Sequence, residues 1–362
     1  MIYHYTRIKR CTIVLFLGLL FILITGFGYM GKSPMLPSTG IAYGVNVDMS
    51  ALVPGTPYTI RTATGGDFFA LAAQLGINTF RITDFRWEST GEEYPRAIWQ
   101  QVFAKAEAYH MHIILLLMDG HGHMAIEQAH LLLDQYGLAH APALWIVDLY
   151  NEPDVSDPMR IAALRAEAAY VRQVAPEIPI TIGGWKSRVA GHPGEFRWQD
   201  PADIPQFINL VDIVSPHLYQ FAQGALLGFT PQQWTRRYLG AVRKEAEHKP
   251  ILLEEFGASN GLAPTSESGL AGSPEWQASV YQGVLEEVTI EHDQGVLGAV
   301  AWMIAPRPGW SDPAIVEGDM TGWAFVLDHG RRLLPAAGTF LAVRNGEGSA
   351  VMSSQQDAPS GL

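Results

Sequence analysis

The chain has 362 residues, 48% of them hydrophobic and 17% charged, with a net charge of −12. That length and apolar content suit one large domain, such as an α/β barrel of about 250 residues or more. Residues 1–40 carry Arg7, Lys9, Arg10 and Lys32 and no acid, so removing that +4 leaves −16 on residues 41–362. Such an acidic body excludes a nucleic-acid partner, which needs a cationic face.

The first element is "RIKRCTIVLFLGLLFILITGFGYMGKSP", a basic flank followed by roughly twenty apolar residues, enough to span a bilayer. Residues 1–30 read as a signal anchor or signal peptide. Arg7, Lys9 and Arg10 would hold the N-terminus inside and send the rest out. The expected product is a membrane-anchored protein with an extracytoplasmic body, or a secreted one. Cys11 is the only cysteine, so no internal disulfide can form. Residues 31–40 read as a linker.

From residue 41 short apolar runs alternate with helical patterns. Strands are predicted at 41–48, 78–85, 112–119, 144–151, 179–185, 212–219, 250–256 and 296–304. Several are apolar almost throughout, as in a parallel sheet covered on both faces. Between them, Ile161, Leu164, Ala168 and Val171 recur at helical spacing, and that helix should stop before Pro176. "TPQQW" reads as a capping box with Thr230 as N-cap, and "SPEW" as a second Ser-Pro helix start. A last helix is predicted around 333–344, closing a domain at 41–344, with 345–362 a disordered tail. Eight strand–helix units predict a (β/α)8 TIM barrel; no Gly-rich phosphate loop supports an open doubly wound sheet.

In such a barrel the active site gathers at the C-terminal strand ends, and those ends are polar here. They present Arg81 on strand two and Asp119, His121 and His123 after strand three. Asn151 and Glu152 end strand four, and His217 and Tyr219 end strand six. Glu254 and Glu255 lie on strand seven, and Trp302 on strand eight. Two carboxylates across a barrel mouth suit glycosidic cleavage, one donating a proton and the other attacking or stabilising the sugar. Trp302, Trp310 and Trp323 are candidate faces for sugar stacking. Successive side chains on a strand alternate, so only one of Glu254 and Glu255 should enter the mouth. Glu254 is expected to face the surrounding helices.

"NEP" ending strand four, "EFG" ending strand seven, "HLY" on strand six, Arg81 and Trp302 together resemble glycoside hydrolase family 5, in the clan A of retaining (β/α)8 glycosidases. The likeness spans roughly residues 41–344. It implies Glu152 as acid/base and Glu255 as nucleophile. It implies Asn151 at the 2-hydroxyl, Tyr219 and Arg81 on the nucleophile, His121 and His217 shaping the cleft, and Trp302 beneath the reacting sugar. The implied substrate is a β-linked oligo- or polysaccharide of glucan or mannan type, cleaved without a cofactor. Two other readings compete. A non-catalytic glycan-binding barrel at the cell surface would keep the fold without the reaction. A metal-dependent amidohydrolase-like enzyme would use the His-x-His of 121–123, but strands five and eight offer no further ligands, so no metal is expected.

Overall fold

The computed structural model describes residues 40–54, 59–60, 66–83, 94–117, 125–192, 194–262, 272–305 and 322–346. All of them belong to one unit, Pro34–Leu362. The apolar run at 11–30, residues 31–39 of the linker, Asp119, His121, His123, Trp310 and the segment after 346 lie outside the described residues. Among the described residues, no helix is long and apolar enough to cross a membrane.

Eight parallel strands form one sheet: β1 (Ala42–Val47), β2 (Thr79–Ile82), β3 (His112–Leu116), β4 (Leu144–Asn151), β5 (Ile180–Gly183), β6 (His217–Leu218), β7 (Ile251–Phe256) and β8 (Val296–Ala301). Their order is β5-β4-β3-β2-β1-β8-β7-β6. The remaining seam is bridged where Gly183 pairs with Ser215. There the Gly184 N–H donates to the Ser215 carbonyl at 2.7 Å, and the Asp212 N–H to that of Ile180 at 2.7 Å. The sheet is thus a nearly closed barrel. Every residue of β1, β2, β5, β7 and β8 is buried, the physical reason these strands are largely apolar on both faces.

The helical predictions hold in their details. The helix Pro158–Val174 starts at Asp157, whose carboxylate accepts from Met159, and its C-cap is Ala175, just before Pro176. Thr230 and Gln233 form the reciprocal capping box of Pro231–Glu245. Ser273 caps Pro274–Ile290, and a last helix runs Ala336–Arg344. One connection departs from strict alternation. Between β5 and β6 the chain makes an antiparallel hairpin, Lys186–Arg188 with Phe196–Trp198, and then two 3-10 turns, Pro201–Gln206 and Ile208–Leu210. With Pro201 and Pro205 so close together, a full α-helix has no room to propagate there.

Most of the core lies between strands and helices. The barrel interior has its own apolar floor of Ala42, Ile114, Trp145, Ile146, Ile213, Leu252, Leu297 and Val300, mostly from the N-terminal halves of the strands. Beyond that floor the interior turns polar, and the cause lies partly in register. β7 carries one extra residue against β8, because Leu253 pairs with Ala299 but Phe256 with Ala301. β4 likewise carries an extra residue against β5, between Asp148–Thr181 and Asn151–Gly183. Such bulges re-aim side chains. They fall where the carboxylates are.

Candidate active site

The site is organised around Arg81, the third residue of β2 and fully buried. A guanidinium has five N–H donors, and each has an acceptor here. Nε and Nη2 donate to Asp148 Oδ2 at 3.0 and 2.7 Å, and Nη2 also to Asn151 Oδ1 at 2.8 Å. Nη1 donates to Asn46 Oδ1 at 2.9 Å and to Glu255 Oε1 at 2.5 Å. Three strands, β1, β4 and β7, therefore converge on the one cation of β2. Asp148 takes further bonds from the Gly183 and Tyr150 N–H groups, at 2.8 and 3.2 Å. Gly183 must be glycine, because a Cβ there would lie 2.4 Å from Arg81 Nη2 and 2.7 Å from Asp148 Oδ2.

Glu255 faces the mouth. It accepts from Arg81 and, through Oε2, from the Tyr219 hydroxyl at 2.6 Å. Glu254 does not turn to the helices, which corrects the alternation argument. The β7 bulge puts both neighbours inside the barrel. Glu254 is fully buried with Oε1 3.6 Å from Arg81 Nε, and Oε2 lies beside Gly183. Since the five donors of Arg81 are already taken, Glu254 receives none of them. Its carboxyl is pushed well above the ordinary 4.5 by burial and by the Asp148 charge, against the pull of Arg81. Burial likewise raises Asp148, although Arg81 and two backbone N–H groups oppose it. Of these two, Glu254 has the fewer donors and holds the proton.

Glu152 follows the end of β4 with φ of 52°, a left-handed backbone rare for a residue with a Cβ. Its N–H donates to the Gly183 carbonyl at 2.7 Å, which fixes the turn. The side chain is 25% exposed, and burial raises its carboxyl to about 7 against the pull of Lys186 and Arg81. His217 Nδ1 lies 3.0 Å from Glu152 Oε1 and 3.4 Å from Glu255 Oε2, between the two acids. Burial lowers this imidazole to about 4, so the ring is neutral at pH 7. Among the described residues Nε2 has no acceptor, so the single ring proton belongs on Nδ1.

Trp302, half-buried, packs with Met303, Trp323 and Tyr219. Gly257 makes that packing possible, since a Cβ there would lie 2.6 Å from the Trp302 carbonyl oxygen. This gives the third residue of "EFG" a physical role. Trp323, a predicted sugar-stacking face, is 4% exposed and meets Tyr219 edge-on with ring centroids 5.4 Å apart. It serves packing instead. Arg81, Asn151, Glu152, His217, Tyr219, Glu255 and Trp302 thus lie at one end of the barrel, while His121 lies outside the described residues. Sequence reasoning missed Asn46, Asp148 and the inward Glu254. A charged or amide side chain inside an apolar strand, as in "GVNV" and "WIVDLY", was the available signal.

Glu152, His217 and Glu255 each present an atom within 4.8 Å of the other two, a spacing that could hold a metal ion. Glu255, however, already has the Arg81 cation at 2.5 Å, and a second cation would compete for the same oxygens. The trio fits proton chemistry better.

No family model matches the chain, and no curated protein matches it. Among solved structures it is similar to a β-D-glucuronidase of Dictyoglomus thermophilum, with TM-score 0.58 and 16% identity over 84% of this chain and 50% of that one. A GH2 β-galacturonidase from Eisenbergiella tayi bound to galacturonate gives TM-score 0.57 and 13% identity over 86% and 51%. An endo-β-1,4-mannanase from Thermotoga petrophila gives 0.54 and 17% over 91% and 79%. The chain spans about half the length of the glucuronidase and the galacturonidase. At these identities the likeness is one of fold, a barrel shared with glycosidases.

Proposed function

We propose that the protein is a retaining glycoside hydrolase acting on a β-linked oligo- or polysaccharide, with Glu255 as nucleophile and Glu152 as acid/base. One observation carries this reading. Two carboxyl groups from β4 and β7 approach within 4.8 Å, one raised to about 7 by burial and the other held as a double acceptor by Arg81 and Tyr219. A separation of about 5 Å suits direct attack by the second carboxylate, whereas inversion needs room for a water between them.

In the first step Glu255 Oε2 attacks the anomeric carbon while Glu152 gives its proton to the departing oxygen. The glycosidic bond breaks and a glycosyl ester of Glu255 forms. Glu152, now ionised, takes a proton from water, whose oxygen attacks the same carbon and releases Glu255. Two inversions leave the configuration unchanged. Neutral His217 turns its Nδ1 proton to whichever acid is ionised. Asn151, its oxygen held by Arg81, keeps its amide N–H groups for a sugar hydroxyl, and Trp302 supplies an apolar face under the ring.

A glucan or mannan backbone is the substrate class proposed. Residues 1–30 are proposed to anchor this body outside the cytoplasm, and protease added to intact cells should then remove it. The central test is mutational. Glu255→Ala should nearly abolish hydrolysis of an aryl glycoside, and azide should restore it with a glycosyl azide of inverted configuration. Early release of an inverted sugar by the native protein would refute the mechanism. No turnover of any glycoside would favour a non-catalytic glycan-binding barrel, and loss of activity to a chelator would favour a metal enzyme.

A further inference from the structure

The hairpin that replaces the fifth helix is tied directly to the acid/base. The Lys186 N–H donates to the Pro153 carbonyl at 3.0 Å, the Val155 N–H donates to the Lys186 carbonyl at 2.8 Å, and Asp154 bridges Lys186 in parallel. Lys186 thus stands beside the turn that carries Glu152. Its ammonium lies 4.7 Å from the centre of the Trp198 ring and 5.3 Å from that of Phe196. Trp198 is 45% exposed, much for the largest apolar side chain.

The three basic side chains of this hairpin are not alike. Arg188 pairs with Asp154 at 2.9 Å, and Arg197 with Asp200 and Asp203 at 3.0 and 2.7 Å. Among the described residues no carboxylate comes within ion-pair distance of Lys186. A half-buried cation without a counter-charge is costly. It also works against the acid it adjoins, since its field pulls the Glu152 carboxyl down. An anion arriving with the substrate would remove both conflicts. Cation–π contact with two rings holds the ammonium in place for it.

We propose that Lys186, Phe196 and Trp198 form the subsite for the sugar on the leaving-group side of Glu152, and that this sugar carries an anionic substituent. This rests on the glycosidase reading and deepens it. The leaving oxygen takes its proton from Glu152, so the departing sugar must lie against the chain segment next to Glu152, which is this hairpin. Trp198 offers its free face to the ring, and Lys186 takes the carboxylate or sulfate as a point charge. The substrate is then a glucan- or mannan-type chain whose sugar on the leaving-group side of the scissile bond bears an acidic substituent.

The test compares β-linked oligosaccharides whose leaving-group sugar is neutral, a uronate or a sulfate ester, at low salt and near pH 6. The native protein should favour at least one acidic series by about tenfold in kcat/KM, a preference that added salt erodes. Lys186→Met should bring the acidic-to-neutral ratio close to one. Arg188→Met, which removes the paired and exposed cation of the same hairpin, should leave that ratio unchanged. A bound anion should also move the alkaline limb of kcat above that of kcat/KM for acidic substrates alone. Equal kcat/KM for neutral and acidic sugars in the native protein overturns the proposal, and so does an unaltered ratio in Lys186→Met. If no glycoside is turned over, quenching of tryptophan fluorescence by the same oligosaccharides decides. Lys186-dependent, salt-sensitive binding of the acidic ones would keep the subsite and sink the glycosidase reading, whereas equal binding of both sets would sink the subsite.

Discussion

Glu254→Gln should make the protein more stable, and increasingly so as pH rises from 5 to 7. Glu254 is fully buried beside Asp148 and Arg81, and the five donors of Arg81 serve other acceptors. Burial and the Asp148 charge raise its carboxyl well above the ordinary 4.5. The native state therefore keeps a proton that the unfolded chain releases above its own pKa. Stability from such a group is complete below about 4.5 and falls with rising pH until the folded pKa is reached, at about 1.4 kcal/mol per pH unit. Glutamine mimics the neutral acid and does not ionise, so the variant escapes this loss. The difference in unfolding free energy between variant and native protein should widen as pH rises from 5 to 7, at no more than about 1.4 kcal/mol per pH unit. Urea unfolding at several pH values measures it, and other titrating groups cancel because both proteins share them. A constant difference across that range would mean that Glu254 is ionised in the fold, and the donor count around Arg81 would be the wrong argument.

Glu152, raised to about 7, should set the alkaline limb of kcat/KM near pH 7, with activity present below it and lost above it; a limb beyond pH 9 in a pH–rate profile would contradict its role as the acid. Glu167 is buried on the helix Pro158–Val174, where burial raises its carboxyl to about 7 against the pull of Arg160. Its contribution to stability should fall as pH rises from about 4.5 to 7 and then level off, and Glu167→Gln should flatten that part of a thermal-stability profile. Gly257→Ala places a Cβ 2.6 Å from the Trp302 carbonyl oxygen. It should cost about 1–3 kcal/mol in chemical denaturation and reduce turnover by displacing Trp302 and Tyr219; an unchanged unfolding midpoint would refute the clash.

Strands such as "HIILL" and "VLGAVA" were legible because a sheet buried on both faces favours apolar residues on both. Glu152, Glu255, Arg81 and Tyr219 were legible because polar side chains at strand ends have no structural reason to cluster. Glu254 was misread because alternation assumes an unbroken ladder, and nothing in "ILLEEF" marks where an extra residue slips in. Asp148 and Asn46 escaped notice for a related reason. Each looks like a lone exception in an apolar run, and its meaning comes from Arg81, a partner 67 and 35 residues away. The hairpin Lys186–Trp198 was not legible, because its pairing depends on three residues a side and on backbone bonds to the β4 turn.

Arg81 also bears on the order in which the barrel can assemble. Its partners stand 35, 67, 70 and 174 residues along the chain, and contacts of that span form only after large loops have closed. Of these partners Glu255 is the farthest away in sequence, so its ion pair with Arg81 closes the longest loop. A nascent chain that ends before β7 lacks Glu255, so by the proposed mechanism it would be catalytically silent however well its first half had condensed.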